Sequence, residues 1–212
     1  MSARAPGWPA TLRDGDVVVR PMRLRDAPSW VEIRIRNATW LAPWEATPPG
    51  VGAALETWGE RQTIGIYTQM LQRLRAQARA GTALPFAILY GGRLVGQITV
   101  SNIVRGAYNG GQVGYWVDSA FAGRGITPTA LALVTDHCFG PVGLHRVEAD
   151  VRPENTASRR MLAKLGFREE GLHLRFLSIG GQYRDHISYA LTTEDVPEGL
   201  LTRWHRTQAA RS

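Results

Sequence analysis

The stretch 114–127 reads GYWVDSAFAGRGIT, in which a predicted β-strand runs directly into a glycine-bearing turn. After it, the chain predicts a helix at about 128–139, a strand at 144–151 and a short helix ending at the LGF triplet of 165–167. A turn of this kind at a helix N-terminus offers several backbone N–H groups and the positive end of the helix dipole to one anion. The stretch therefore predicts a mixed α/β fold with a pyrophosphate-binding turn.

The glycine turn by itself has a plainer interpretation, because tight connections also use glycine for its conformational freedom. Gly125 is followed by ITP, so the turn lacks the Gly-Lys-Ser/Thr ending of a nucleotide triphosphate loop. It also lacks the three spaced glycines and the later acidic residue of a dinucleotide site. The short helix that ends at LGF favours ligand binding, because Asn155 and Ser158 lie three residues apart and share one helix face. An asparagine that caps this helix can still offer its amide to a ligand.

Further elements are predicted outside this stretch. Strands are expected at 17–21, 84–90 and 93–104, the last two joined by the hairpin signal Gly91-Gly92, and a final hairpin around Gly180-Gly181. A helix is expected at about 26–37, and a longer one that ends near Gly81. The longer helix has an apolar stripe that core packing explains better than a ligand site does: Ile64, Tyr67, Met70, Leu71 and Leu74.

The turn and the second helix together resemble the GNAT N-acetyltransferases, whose acetyl-coenzyme A loop reads Gln/Arg-x-x-Gly-x-Gly/Ala. Here the loop reads AGRGIT (122–127), with alanine at the first position and threonine at the last. Longer strings resemble the RimJ-like branch, which acetylates the N-terminal alanine of ribosomal proteins. They are WLAPWE (40–45), SNIVRG (101–106), ENTASRRMLAKLGF (154–167) and GQYRDHISYALTTED (181–195), in the family's order and over nearly the whole chain.

The resemblance implies the GNAT fold, a central splayed and mostly antiparallel sheet flanked by helices. It also implies acetyl-coenzyme A as cosubstrate, without a metal, with its pantetheine between the fourth and fifth strands. Neighbouring strand residues point to opposite faces, so either Tyr115 or Trp116 is expected to line the acyl channel and the other to lie in the core. The implied coenzyme contacts are the backbone of Tyr115, Trp116 and Val117, the loop Ala122, Gly123, Arg124, Gly125, Ile126 and Thr127, and the helix residues Asn155 and Ser158.

The implied reaction is attack of a neutral amine on a thioester, which needs a base, a stabilised oxyanion and an acid for the thiolate. An α-amino group titrates near pH 7.7–8.0, so the base has less to do than it has for lysine. By the resemblance, Ser158 is the candidate acid, against the alternative of an inert surface serine. A related branch uses a glutamate that falls near Leu177 here and is absent. The candidate bases are Glu45, ranked first, Glu148 through water, and Asp185.

The resemblance also implies a groove for the peptide acceptor. Its expected contacts are Trp44, Glu45, Asn102, Arg105, Tyr183 and Asp185. The polar pair of SNIVRG can equally satisfy backbone groups at a strand end, and Asp185 can equally form an ion pair. The implied activity is acetylation of a protein N-terminus, foremost the N-terminal alanine of a small-subunit ribosomal protein. The alternatives are an acetyltransferase for a small amine (antibiotic, polyamine or amino acid) and a ribosome-associated binding or assembly module.

Composition bounds the remaining expectations. The 212 residues, 44% of them apolar, are enough for one domain over 1–212, with an N-terminal extension at 1–15 and a peripheral basic tail at 196–212. No stretch resembles a membrane span or signal peptide, which predicts a cytoplasmic protein. A monomer and a homodimer both stay open. The formal charge of +7 is carried almost entirely by arginine and argues against a deep acidic pocket. It allows association with a ribosome or an assembly intermediate, although genomic bias and ordinary solubility explain it better, because no arginine run is interleaved with aromatic residues.

Overall fold

The computed structural model describes residues 5–48 and 58–210. Within them, the strands form one sheet in the order β1-β2-β3-β4-β5-β6-β8-β7. Neighbouring strands are antiparallel, except that β5 and β6 run parallel. The strands are β1 (Leu12–Asp14), β2 (Val17–Pro21), β3 (Leu84–Tyr90), β4 (Arg93–Val104), β5 (Gly110–Val117), β6 (Arg146–Val151), β7 (Arg168–Ile179) and β8 (Gln182–Thr192). The predicted mixed fold with a mostly antiparallel sheet is confirmed.

Helices cover both faces of this sheet. They are α1 (Ala27–Arg36), α2 (Ala38–Leu41), α3 (Ile64–Ala80), α4 (Ile126–Phe139), α5 (Thr156–Leu165) and α6 (Leu200–Ala209). Helices α1 and α3 pack on one face, where Trp30, Tyr67 and Leu71 form a small core. The larger core lies on the opposite face, where α4 is apolar on nearly all sides because it is enclosed by the sheet, α5 and α6. None of the helices among the described residues has the length and apolar content that crossing a bilayer requires.

The sheet splays between β5 and β6. Their parallel pairing runs over three positions and ends at Gln112 and Glu148. Beyond this point β5 continues only with β4, through Val117, and β6 continues only with β8, through Val151. The carboxyl ends of the two parallel strands therefore separate and leave a gap in the middle of the sheet.

The C-terminal helix α6 packs against the core and is not a peripheral tail. Leu200 and Trp204 of α6 are buried, and the Trp204 indole N–H donates to Thr129 Oγ1 of α4 at 2.9 Å. The carboxylate of Asp136, also on α4, accepts from the backbone N–H groups of Leu200 and Leu201 at 2.6 and 3.0 Å. The expectation of a peripheral tail is therefore wrong for residues 196–210, because the apolar face of α6 closes the core around α4.

The beginning of the described chain is also part of the packed structure. Trp8 packs edge-on against Phe86, with ring centroids 5.1 Å apart. The backbone carbonyl of Gly7 lies 2.7 Å from Nε2 of His137 on α4, and β1 extends the sheet beside β2. Part of the expected extension at 1–15 thus covers the same core that α6 closes.

Candidate active site

A cavity of about 730 Å³ lies at the gap between β5 and β6 and is lined from both faces of the sheet. We call the residues on the face of α4 and α5 the turn side: Tyr115, Gly123, Gly125, Asn155 and Ser158. We call the residues on the face of α1 the carboxylate side: Arg34, Glu45, Trp116 and Asp150. Of the residues predicted from sequence, the cavity is lined by Trp44, Glu45, Tyr115, Trp116, Val117, Ala122, Gly123, Gly125, Ile126, Thr127, Asn155 and Ser158.

The glycine turn adopts a conformation that favours glycine. Gly123 and Gly125 have φ values of +76° and +77°, in the left-handed region that side chains with a Cβ rarely occupy. Gly125 is the N-cap of α4, and no side chain caps this helix end. Within the described residues, no acceptor engages the backbone N–H groups of Gly123, Gly125 or Ile126. These uncommitted donors and the helix dipole point at the cavity and suit a phosphate or pyrophosphate.

A second helix N-terminus meets the cavity at α5. Asn155 is its N-cap and accepts from the Ser158 N–H through Oδ1 at 3.1 Å, which leaves the side-chain amide as a donor. Ser158 Oγ lies 2.6 Å from the Tyr115 hydroxyl. Burial raises the pKa of Tyr115, so the phenol stays protonated and can donate to Ser158. The serine proton is then free to point into the cavity.

Alternate residues of β5 direct their backbone N–H and C=O groups toward the gap. The N–H of Asp118 donates to β4 at 2.8 Å, so residue 118 faces that strand. Because antiparallel strands alternate the edge to which each residue's N–H and C=O point, those of Tyr115 and Val117 face the gap and those of Trp116 face β4. The Val117 carbonyl accepts the Trp40 indole N–H at 3.0 Å. The expected backbone contact is therefore corrected for Trp116, whose peptide groups serve the sheet.

Tyr115 and Trp116 point to opposite faces, and both line the cavity. Tyr115 reaches Ser158 on the turn side, whereas Trp116 packs against Trp30 on the carboxylate side, with ring centroids 6.5 Å apart. The expectation that one of the two would lie in the core is wrong. The reason is the gap itself, which opens the sheet from one face to the other.

The carboxylate side is organised around Arg34, which is only 5% exposed. Its Nη2 donates to Glu45 Oε2, and its Nε donates to Gln62 Oε1 at 2.6 Å. Burial lowers the pKa of the guanidinium, and the Glu45 carboxylate opposes this effect. The guanidinium carbon also lies 4.7, 5.0 and 5.5 Å from the ring centroids of Trp30, Trp58 and Trp116. Glu45 is thereby held at the cavity, with its second oxygen free of this ion pair.

Asp150 is a site residue that sequence reasoning missed. Its side chain is 10% exposed, it lines the cavity just past the last β5–β6 pair, and its Oδ2 accepts from Gln112 Nε2 at 3.3 Å. Gln112 is held in turn by Asn102 Nδ2, 2.6 Å from its Oε1. Within the described residues, Asp150 Oδ1 has no hydrogen-bond partner. Burial raises the pKa of this carboxyl, and Ser188 and His173 oppose the effect only in part.

Six predicted residues are not brought to the cavity lining. Glu148 accepts from Arg146 Nε at 2.5 Å, and Arg105 Nη1 donates to the Val142 carbonyl at 2.9 Å. Asp185 Oδ1 accepts from the Arg175 N–H at 2.7 Å. These three side chains serve local structure, and the other three lie outside the lining: Asn102 behind Gln112, Arg124 beside Phe121, and Tyr183, which is 57% exposed.

A signal for Asp150 was present in the sequence. The strand HRVEADV alternates buried and less buried residues, so Glu148 and Asp150 share one face. The choice between them depends on where the pairing of β5 with β6 ends, which only the register shows. Three other lining residues lie outside the strings that carry the resemblance: Arg34, Arg152 and Trp204. Trp40 and His186 lie within two of those strings, and sequence reasoning did not single them out.

Comparison with known proteins agrees with this geometry. The family model of the acetyltransferase (GNAT) domain matches residues 16–168. The [Ribosomal protein uS5]-alanine N-acetyltransferase of Escherichia coli is 30% identical over 185 residues, which cover 86% of this chain and 91% of that protein. The solved structure of Mycobacterium smegmatis RimJ in complex with CoA-disulfide is 43% identical with a TM-score of 0.88, covering 96% of this chain and 97% of that one. The ribosomal-protein-S5-alanine acetyltransferase of Vibrio fischeri is 29% identical with a TM-score of 0.76, covering 88% and 98%.

Proposed function

We propose that this chain, which belongs to the GNAT acetyltransferase family, transfers the acetyl group of acetyl-coenzyme A to the N-terminal α-amino group of a ribosomal protein, with alanine as the preferred first residue. The observation that carries the proposal is one cavity that joins two helix N-termini and the Tyr115–Ser158 pair to a side that presents carboxylates. The acceptor class is supported by the relatives, whose names assign them ribosomal-protein alanine as substrate.

The turn side fits the coenzyme. Uncommitted N–H groups at Gly123, Gly125 and Ile126 suit its pyrophosphate, since no side chain competes for this end of α4. The free backbone groups of Tyr115 at the gap suit the amides of the pantetheine arm, as an added strand would. Bound there, the coenzyme supplies an activated acetyl thioester.

Ser158 has the role of acid in this proposal. The departing sulfur needs one proton, and the Ser158 hydroxyl can supply it when Tyr115, 2.6 Å away, is the donor to the same oxygen. Tyr115 therefore orients the serine proton and stabilises the oxygen as that proton leaves. The acid thus depends on a hydroxyl pair that spans β5 and α5.

Glu45 has the role of holding the acceptor ammonium. One of its oxygens is engaged by Arg34, and the other can face a positively charged N-terminus entering the cavity. The rings of Trp44 and Trp116 offer apolar area beside it. An α-amino group and a short apolar side chain match this combination of one carboxylate and aromatic walls.

The test is an acetylation assay with purified protein, acetyl-coenzyme A and peptides that begin with Ala, Ser, Gly or Met. Peptides with a blocked N-terminus and a free lysine, together with polyamines and amino acids, are the comparison acceptors. Free thiol release gives the rate, and product mass locates the acetyl group. We expect selective modification of the terminal amine, fastest for the Ala peptide.

Three other outcomes would contradict the proposal. Turnover on small amines with none on peptides would assign the chain to metabolite acetylation. Modification of lysine side chains in blocked peptides would replace the α-amino group as the acceptor. Tight coenzyme binding by calorimetry without turnover on any acceptor would favour the ribosome-associated binding module.

A further inference from the structure

Asp150 combines features that the proposed roles of Ser158 and Glu45 leave unused. Its side chain is nine-tenths buried, it lines the cavity, and Oδ1 has no hydrogen-bond partner within residues 5–48 and 58–210. A buried polar atom without a partner is costly, and such atoms in native proteins call for an explanation. Asp150 lies just past the last pair of β5 with β6, where the gap opens, so a role in the cavity would supply one.

The second oxygen of Asp150 is fixed by side chains that have no other evident task. Gln112 Nε2 donates to Oδ2 at 3.3 Å, and Asn102 Nδ2 lies 2.6 Å from Gln112 Oε1. Asn102 itself has a φ of +51°, a conformation that asparagine tolerates better than most residues. This chain of amides engages Oδ2 and leaves Oδ1 without a hydrogen-bond partner among the described residues.

A half-exposed imidazole lies near the unpartnered oxygen of Asp150. His173 Nδ1 of β7 is 4.0 Å from Asp150 Oδ1, and the His173 side chain is 48% exposed. The ring rests edge-on against Phe176, with centroids 4.8 Å apart. An imidazole between a buried carboxylate and solvent can accept a proton from one and pass it to the other.

The charged and titratable groups beside Asp150 on β6 and β8 are engaged by other partners. Glu148, on the same strand face, is held by Arg146, and His186 of β8 has its Nδ1 at the Arg184 carbonyl, 3.0 Å away. Further along, Arg152 is directed to Glu154 and to the Pro43 carbonyl. Burial, the largest influence, raises the pKa of the Asp150 carboxyl, which brings it closer to that of an α-ammonium group.

We infer that Asp150 takes the proton from the acceptor's ammonium group and that His173 passes this proton to solvent, an inference that rests on the proposed function. The N–H bond of the ammonium breaks as the Asp150 O–H bond forms, and the released nitrogen lone pair attacks the thioester carbonyl. The carbon–sulfur bond then breaks, and the sulfur takes its proton from Ser158. The second proton lost by the nitrogen replaces the one that Ser158 gave. Asp150 returns to its anion through His173.

The test compares kcat and kcat/KM between pH 6 and 10 for the wild type and four variants, with coenzyme affinity measured by calorimetry. For Asp150→Asn we expect kcat at pH 7 to fall by about a hundredfold, since general base catalysis contributes about 10²–10⁴-fold. Its activity should climb with pH as the acceptor amine deprotonates in solution, and its coenzyme affinity should stay within about twofold of the wild type. Asp150→Glu, which keeps a carboxyl, should recover part of the loss.

The other two variants separate the relay from general damage. His173→Gln should lower kcat by about threefold to tenfold and respond to added imidazole, which can replace the missing ring as a proton carrier. Glu148→Gln is the matched control on the same strand face and should stay within about twofold, because Glu148 lies outside the cavity lining.

The inference is overturned if Asp150→Asn keeps more than about a tenth of the wild-type kcat at pH 7, or if Glu148→Gln loses as much. It is also overturned if the fall comes with lost coenzyme binding, which would make Asp150 a structural residue. If the wild type acetylates none of the peptides, the proposed function fails by itself. The same variants are then compared on the amine that the wild type does accept. The kcat of each variant relative to the wild type decides the role of Asp150 there.

Discussion

The turn side and the carboxylate side of the cavity are built by different means. The turn side depends on backbone N–H groups at the starts of two helices, and its residues fall in the short segments 122–127 and 155–158 together with β5. The carboxylate side depends on charged side chains from three places: Arg34 of α1, Glu45 between α2 and α3, and Asp150 of β6. The side proposed for the coenzyme thus depends on local chain geometry, whereas the side proposed for the acceptor depends on groups that only long-range contacts assemble. Substitutions on the two sides should therefore fail in different assays.

The largest effect is expected for Arg34→Ala on the carboxylate side. The change removes a buried guanidinium from between three indole rings and leaves Glu45 and Gln62 without their partner. We expect the free energy of unfolding to fall by about 3 kcal/mol, measured by urea denaturation. The acceptor KM should rise while coenzyme affinity of the folded protein changes by less than about twofold.

Arg34→Lys is the graded control for this prediction. Lysine keeps the positive charge and cannot reproduce the planar contacts to two acceptors at once, so an intermediate loss is expected. Arg34→Ala could instead leave the free energy of unfolding within about 0.5 kcal/mol of the wild type. That result would refute the role of this side chain in organising the carboxylate side. Loss of coenzyme binding by the folded variant would break the separation of the two sides.

Ser158→Ala on the turn side is expected to act on the rate. Without the hydroxyl, the sulfur loses its donor, and kcat should fall by about a hundredfold, equivalent to about 2.7 kcal/mol in the barrier. Tyr115→Phe should give a smaller fall, because the serine remains and loses only its partner at 2.6 Å. Steady-state kinetics and coenzyme calorimetry check both. Ser29→Ala, an exposed serine of α1 outside the cavity lining, is the control, and an equal loss there would contradict the assignment.

Gly125→Val should chiefly weaken coenzyme binding. A β-branched residue at φ +77° distorts the turn, at a cost of about 1–2 kcal/mol. We expect the coenzyme Kd to rise by about tenfold, measured by calorimetry, because the N–H groups lose their common direction. Gly91→Val is matched in strain, with a φ of +54° in a hairpin and open space around it. If Gly91→Val weakens the coenzyme equally, the effect is one of general stability and the turn has no special part.

The smallest effect is expected in the stability of Asp150→Asn. The pKa of Asp150 is raised in the folded protein, so ionisation of this group above its unfolded value near 3.9 costs the wild type stability. Asparagine removes that cost. The variant's midpoint of thermal unfolding should therefore rise relative to the wild type as pH increases from 4 to 8, with little difference at pH 3. A variant that becomes relatively less stable toward pH 8 would contradict the sign of this shift.

Several elements could be predicted from the sequence because their determinants are local. The hairpin of β3 and β4 follows Gly91-Gly92, and α3 follows an apolar stripe and ends at Gly81, whose φ is +75°. The glycine turn and Asn155 mark the starts of α4 and α5 within a few residues. In each case neighbouring residues determine the conformation.

The sequence by itself determined the family resemblance, the order of the strands and helices, and the turn side of the cavity, since backbone geometry follows from short-range sequence. Only the tertiary structure decided that Asp150, and not Glu148, reaches the cavity, because this depends on where the register of β5 with β6 ends. It also decided that Trp204 of the basic tail lines the cavity and that Trp58 and Trp116, distant in sequence, enclose Arg34. Burial and charge pairing across a fold are properties of contacts between distant segments, and no local pattern records them.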